Sequence, residues 1–256
     1  MSRAVASPVL LLAVLLSNAA SGAVATPAFS PRLGTQLDTS LVFRDEAGRS
    51  GPLRQFLHDK PALLLFGYDR CPGLCGVAEV DLADALQKTG LDADRYRVIF
   101  ASIDPEETPT DALAAREKLG AAVPGANLFG WSFLTGGSGS VSTLDRAAGL
   151  DVTSLPGRTF YVHPVATLAL TPGGRIARAF GGIDYAARDL RLALVEAAEG
   201  KLGSLSDRLT VLCSSFDPST GRYTSAVMVG VRLAAVATLA VMAIVLLRLR
   251  RKGANS

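Results

Sequence analysis

From Val227 to Leu247 the chain runs 21 residues with Arg232 as its sole charge, a stretch that a water-soluble fold has little room to hide. As a helix it reaches about 31 Å at about 1.5 Å per residue, which matches the hydrocarbon thickness of a bilayer. A buried core helix of that length carries a polar stripe, whereas Leu233 to Leu247 shows only Thr238. Residues 225–247 are therefore expected to form a transmembrane helix. Arg232 sits near one end, where its long side chain can snorkel to the interface. Arg248, Arg250, Arg251 and Lys252 follow at once. The positive-inside bias assigns the tail, 248–256, to the cytoplasm and the rest of the chain to the other side.

The N-terminus points the same way independently. Residues 1–25 read as Arg3, an apolar run from Val9 to Leu16, and small residues ending in Ala23, Val24 and Ala25, the order of a secretory signal peptide cleaved after Ala25 or Ala23. A run that short cannot cross a bilayer. The expected location is the cell inner membrane, with one C-terminal span and the domain on the periplasmic side. Charge agrees with that division. The formal charge is +3, yet six of the 26 Lys+Arg and none of the 23 Asp+Glu lie in the two end segments, which leaves the middle acidic. A nucleic-acid-binding domain is disfavoured, because phosphate attraction needs a clustered basic face.

Between the ends, residues 26–38 are rich in Pro, Ser, Thr and Gly and read as an extended arm. Residues 39–199 have the length of one ordinary domain, and 200–224 read as a connector to the span. Within the domain, strands and helices alternate. Ala62 to Tyr68, Arg97 to Ile103, Phe129 to Leu134, Thr159 to His163, Ala166 to Leu170 and Ile176 to Phe180 are strand candidates. Gly76 to Lys88, Thr108 to Leu119 and Asp184 to Glu199 show helical spacing, with Thr108 or Thr110 available as a cap. Pro172, Gly173 and Gly174 mark a hairpin turn. The order implies an α/β fold, a sheet covered by helices with a parallel part and a terminal hairpin.

The chemistry lies in three cysteines and two histidines. Cys71 and Cys75 form a C-x3-C where the first central strand ends and a helix begins. Unpaired backbone N–H groups, the helix dipole and Arg70 favour thiolate there. The pair can act as a reversible disulfide, a structural disulfide or two metal ligands; so short a loop constrains the unfolded chain little, which weakens the structural role. Cys213 is left over as a spare thiol, an intermolecular bridge or a ligand. His163 ends a strand candidate, and two thiolates with one imidazole make a soft set suited to Cu(I). Zinc in a structural site prefers a fourth protein ligand. His58 lies in a polar turn and reads as a surface residue. Asp104 with Pro105 reads as a strand-closing turn or a partner-facing group.

From Gly34 to Ala198 the residues resemble the Sco/SenC family of copper-binding, thioredoxin-like proteins that help assemble cytochrome c oxidase. Four stretches carry the resemblance: Phe66 to Cys75; Ser102 to Pro105 with Glu107, Thr108 and Pro109; Trp131 to Gly136; and Tyr161 to His163 before the Leu168 to Arg178 hairpin. It implies a thioredoxin-like domain with a central mixed sheet flanked by helices. It also implies copper, as Cu(I) and also as Cu(II), held by Cys71, Cys75 and His163. Two departures stand out. Many members place an acidic residue before the metal histidine and a small hydroxyl residue after it, where this chain has Val162 and Pro164, so the group that orients the imidazole is expected to differ. Ser214 and Ser215 follow Cys213 where relatives with a C-terminal span carry an aromatic and histidine-containing sequence.

The expected function is a membrane-anchored metallochaperone that passes copper to the dinuclear copper site of a cytochrome c oxidase subunit. The alternative is a thiol:disulfide oxidoreductase in which Cys71 and Cys75 act as a redox pair on the oxidase cysteines. His163 is needed for the first and dispensable for the second.

Overall fold

The structure, a computed structural model, describes residues 27–71, 75–154 and 160–201, then 216–217, 222–223 and five positions between 235 and 242. The signal peptide, Cys213 and the basic tail lie outside the described residues. So does most of the expected span, of which Ala235, Val236, Thr238, Leu239 and Met242 are helical. Among the described residues no helix is long and apolar enough to cross a membrane.

Strands β1 (Val42–Arg44) and β2 (Ser50–Pro52) form an antiparallel hairpin that leads into the short helix α1 (Leu53–Leu57). Strand β3 (Ala62–Gly67) then passes to α2 (Cys75–Gln87), β4 (Arg97–Ser102) to α3 (Pro109–Ala122), and β5 (Trp131–Leu134) to α4 (Ser138–Ala148). Two two-residue strands follow, β6 (Thr153–Ser154) and β7 (Tyr161–Val162), then β8 (Ala166–Leu170), β9 (Ile176–Gly181) and α5 (Ala187–Ala198). The central sheet runs β5-β4-β3-β8-β9, parallel through its first three strands and antiparallel at β8 and β9. This is the expected mixed sheet. In the stretch 200–224, read as a plain connector, β10 (Phe216–Asp217) and β11 (Arg222–Tyr223) pair antiparallel.

β3 is buried along its whole length because both sheet faces are covered. Its alternate side chains divide the core: Leu64 and Phe66 pack with Ile99, Leu168 and residues of α1 and α4, while Leu63 and Leu65 pack with Phe100 and the apolar faces of α2, α3 and α5. Each fully buried leucine or phenylalanine is worth about 1.5–3 kcal/mol relative to leaving it exposed, so this central strand is a rigid base for whatever follows Gly67.

Helix α3 starts where expected, with Thr108 as its cap: Thr108 Oγ1 accepts from the Asp111 N–H, the Asp111 carboxylate accepts from the Thr108 N–H at 2.8 Å, and Pro109 opens the first turn. The last helix begins later than the expected Asp184. The Asp184 and Tyr185 N–H groups both donate to Asp81 Oδ2 at 2.7 Å, and Asp184 takes a left-handed φ of 89°, so these residues anchor to α2 before the helix starts. The arm is docked: Ser30 donates to the Gly149 carbonyl at 2.7 Å, and Leu37 donates to the Gly174 carbonyl at 3.0 Å.

The strand expected over Thr159 to His163 is corrected. Only Tyr161–Val162 is extended, it pairs with β6 outside the central sheet, and Thr159 lies outside the described residues. His163 thus sits in the loop that enters β8. Because β8 runs antiparallel to β3 with Ala166 opposite Phe66, that loop arrives at the end of β3 from which the cysteines emerge.

Candidate metal centre

At the end of β3 the chain turns tightly, the Cys71 N–H donating to the Tyr68 carbonyl at 3.2 Å, and Cys75 opens α2. Gly67 makes room for this. A Cβ there would lie 2.8 Å from the buried Phe100 ring and 3.5 Å from the Cys75 Cβ. Neither cysteine is in a disulfide, Cys71 is half-buried and Cys75 buried, and their side chains are in hydrogen-bond contact.

His163 comes to the same place from across the chain. Its Nε2 lies 3.7 Å from the Cys75 Sγ, and its Nδ1 is 2.9 Å from the Pro164 carbonyl oxygen. A carbonyl only accepts, so Nδ1 carries the proton and Nε2 turns its lone pair toward the sulfur. Burial lowers the His163 pKa below its ordinary 6.5, which keeps the ring neutral at neutral pH and free to ligate. The orienting partner that Val162 and Pro164 seemed to remove is supplied by a backbone carbonyl, which needs no particular side chain at either position. The structure thus pairs Cys75 with His163 and Cys71 with Cys75. Among the described residues no group of three or more His, Cys, Asp or Glu side chains closes tightly enough to hold a metal ion.

The expected thiolate character at Cys75 is corrected. The hydrogen bond with Cys71 and burial both push its thiol pKa up, outweighing the backbone contact to Tyr68. Arg70 does not offset this, because its guanidinium is engaged by Asp104 and Glu107. It donates to Asp104 Oδ2 at 2.7 Å and lies 3.7 Å from Glu107, while its backbone N–H donates to Glu107 Oε1 at 2.9 Å. Glu107 also accepts from Ser102 Oγ at 2.7 Å. The Arg70 contacts therefore clamp the cysteine loop to the end of β4, and Asp104 is part of that clamp as well as closing the strand.

Two further carboxyls stand behind the cysteines. Burial, then the neighbouring Glu107 and Glu79, push Asp69 up to about 8, and its oxygens are buried beside the Glu107 carboxylate. Burial likewise pushes Glu79 up to about 8, against the pull of Lys118.

His58 caps α1 and precedes β3, at the opposite end of the strand from the cysteines, so it takes no part. Sequence reasoning missed Tyr68 and Tyr161. Tyr68 is 2% exposed, its hydroxyl donates to the Tyr161 carbonyl at 3.2 Å, and its ring meets those of Tyr161 and His163 edge-on at 5.8 and 6.0 Å. A tyrosine at the end of an apolar run reads as core, and nothing local reveals a partner 93 residues away.

The SCO1/SenC family model matches residues 42–199. No curated protein sequence matches the chain. Solved structures share the fold. A protein from Aquifex aeolicus VF5 is 22% identical, covering 66% of this chain and 96% of its own, with a TM-score of 0.58. BsSco, described as a member of the Sco family of cytochrome c oxidase assembly proteins with a disulfide switch, is 18% identical over 66% of this chain and 97% of its own, TM-score 0.52. Arabidopsis thaliana ScoI with copper bound is 16% identical over 62% of this chain and 96% of its own, TM-score 0.51. A family match across well over half of the chain, on a domain with this mixed sheet and with the cysteine pair at the end of its central strand, makes the chain a member of the SCO1/SenC family.

Proposed function

We propose that the protein is a membrane-anchored copper metallochaperone, exported by residues 1–25 and held by residues 225–247 with its domain on the periplasmic side. On this reading it carries copper on Cys71, Cys75 and His163 and hands it to the dinuclear copper site of a cytochrome c oxidase subunit. The observation that carries the reading is the Cys75 Sγ to His163 Nε2 approach of 3.7 Å, with Nδ1 committed to Pro164. A disulfide exchanger has no need of a neutral imidazole with its lone pair turned toward the buried sulfur. A soft, low-coordinate Cu(I) does. Copper is the cargo and is transferred by ligand exchange. Cys71 is the more accessible thiol, so it meets the incoming ion first, and each thiol releases its proton to solvent as it ligates.

The second reading, a thiol:disulfide oxidoreductase, is favoured by one observation: the two cysteine side chains are in contact. The Cys71 thiolate would attack a partner disulfide, forming a mixed disulfide and releasing one partner thiol. The Cys75 thiolate would then attack the Cys71 sulfur, closing the pair and releasing the second partner thiol, with two electrons passed to the partner.

The test is transfer. Full chain in detergent, half of it loaded with Cu(I) and half with Cu(II), is mixed with an apo oxidase copper domain kept in its dithiol form, and the absorption of the dinuclear centre is followed. The reading expects that absorption to appear with no external reductant. Its appearance only from a disulfide-form acceptor with free copper added, the chain supplying electrons alone, would favour the oxidoreductase. Protease added to cells with an opened outer boundary is expected to remove the domain and spare the tail after Leu247; a protected domain would defeat the export assignment.

A further inference from the structure

The central sheet does not hold the segment that carries His163. Among the described residues β7 pairs only with β6, and β8 begins at Ala166, so the histidine reaches the cysteines on a loop. The bond from Nδ1 to the Pro164 carbonyl fixes the tautomer from within that loop. It cannot decide how far the ring stands from Cys75, because donor and acceptor move together.

Tyr68 ties the loop to the cysteine side. It follows directly on the rigid strand β3 and is 2% exposed. Its hydroxyl grips the Tyr161 carbonyl, two residues before His163, and its ring edge supports both the Tyr161 and His163 rings. Tyr161 adds a weaker second tie, its own hydroxyl lying 3.5 Å from Asp104 Oδ1, the carboxylate already paired with Arg70.

We propose that Tyr68 is the positioning residue for His163: by holding the Tyr161 carbonyl and the imidazole edge, it sets Nε2 against the Cys75 sulfur and so fixes the share of copper binding that the imidazole provides. This role rests on the copper reading above. The Tyr68 side chain also contacts the Cys71 side chain, so the positioning role is the part of its effect that depends on His163. The Tyr68→Phe change removes the hydroxyl and keeps the ring, so the core contacts and the fold persist. Losing a group that orients a ligand costs about 10–100-fold in metal affinity, and a single neutral hydrogen bond belongs at the low end of that range.

The experiment is a double-mutant cycle on the full chain in detergent, reduced and titrated with Cu(I) against a chromophoric chelator. Tyr68→Phe is expected to weaken Cu(I) binding about tenfold in the native background and by a smaller factor in a His163→Ala background, where only the Cys71 contact of Tyr68 is left to lose; the difference is the mark of an outer partner acting through the imidazole. With Cu(II) loaded instead, the nitrogen hyperfine coupling in the electron paramagnetic resonance spectrum is expected to fall in Tyr68→Phe. An equal loss in both backgrounds, or no loss in the native one, overturns the positioning role. A failure of His163→Ala itself to weaken binding defeats the copper reading first, and is recognised because it needs no change at Tyr68.

Discussion

Asp145 offers a quantitative test of the fold outside the metal centre. It lies on the buried face of α4 beside Leu144 and Ala148, is 8% exposed, and has no hydrogen-bond partner for its carboxyl group among the described residues. Burial alone pushes its pKa up from 3.8 to about 7. Below about pH 4 the carboxyl is protonated in both the folded and unfolded states and contributes nothing to the difference between them. Between about pH 4 and 7 the unfolded chain has released the proton while the folded chain keeps it, so stability falls as pH rises, and above about pH 7 the full penalty is present. A shift of about three units at 1.36 kcal/mol each sets a ceiling of about 4 kcal/mol. The carboxyl borders a cavity of about 770 Å³ between the arm and α4, shared with Arg32, Arg146 and Asp151, and solvent access through it would bring the penalty below that ceiling, to about 2–4 kcal/mol. Asp145→Asn copies the protonated form. It is expected to match the native chain at pH 4 and to exceed it by about 2–4 kcal/mol at pH 8, which for a domain of this size raises the melting temperature by about 4–16 °C. Thermal melts across pH 4–8 read this directly. Parallel stability curves for the two proteins would refute the reasoning, because they would mean that Asp145 ionises freely in the folded state.

Two other substitutions and one labelling experiment follow from close contacts and exposure. Gly67→Ala would bring a methyl group 2.8 Å from the Phe100 ring, which is 1% exposed and has little room to yield; the expected loss is about 1–3 kcal/mol, read by denaturant unfolding. Gly149→Ala would put a Cβ 2.2 Å from the Ser30 carbonyl oxygen at a residue with φ +75°, so the arm is expected to detach and trypsin to cut after Arg32 faster than in the native chain. Brief alkylation of the reduced chain, mapped by peptide, is expected to tag Cys71 ahead of Cys75, since the first is half-buried and the second buried; equal tagging would contradict the placement of Cys75 beneath the His163 loop.

The elements legible in the sequence are those in which one physical signal acts alone. β3 and the Val98–Ala101 part of β4 are continuous apolar runs, and β8 is broken only by Thr167, because both faces of the sheet are covered, while α2 and α3 carry apolar residues at helical spacing. Helix α4 was not legible. It opens on Ser138, Gly139 and Ser140, poor helix formers, and is held by packing Val141, Leu144 and Ala148 into the core and by the left-handed Gly149 that ends it. The hairpin β1–β2 was hidden for a similar reason, since strands this short carry no periodicity. At the candidate centre, Cys71, Cys75 and His163 were legible as residue types in a family order. Their electrostatics were not. The helix-start argument for a thiolate at Cys75 is local, whereas the burial and the Cys71 contact that oppose it come from tertiary packing. Tyr68 was illegible because its role is a contact across 93 residues of chain.

The account stands most directly on Cu(I) binding by the reduced full chain, measured anaerobically against a competing chelator in the native protein, Cys71→Ser, Cys75→Ser, His163→Ala and a His58→Ala control. One ion per chain is expected in the native protein, since two thiolates and one imidazole saturate a low-coordinate soft ion. Binding should collapse without either cysteine, weaken by at least about tenfold without His163, and stay unchanged without His58. Unchanged Cu(I) affinity in His163→Ala, together with competent reduction of an oxidase-derived disulfide by the same variant, would contradict the account and leave a thiol reductase in its place.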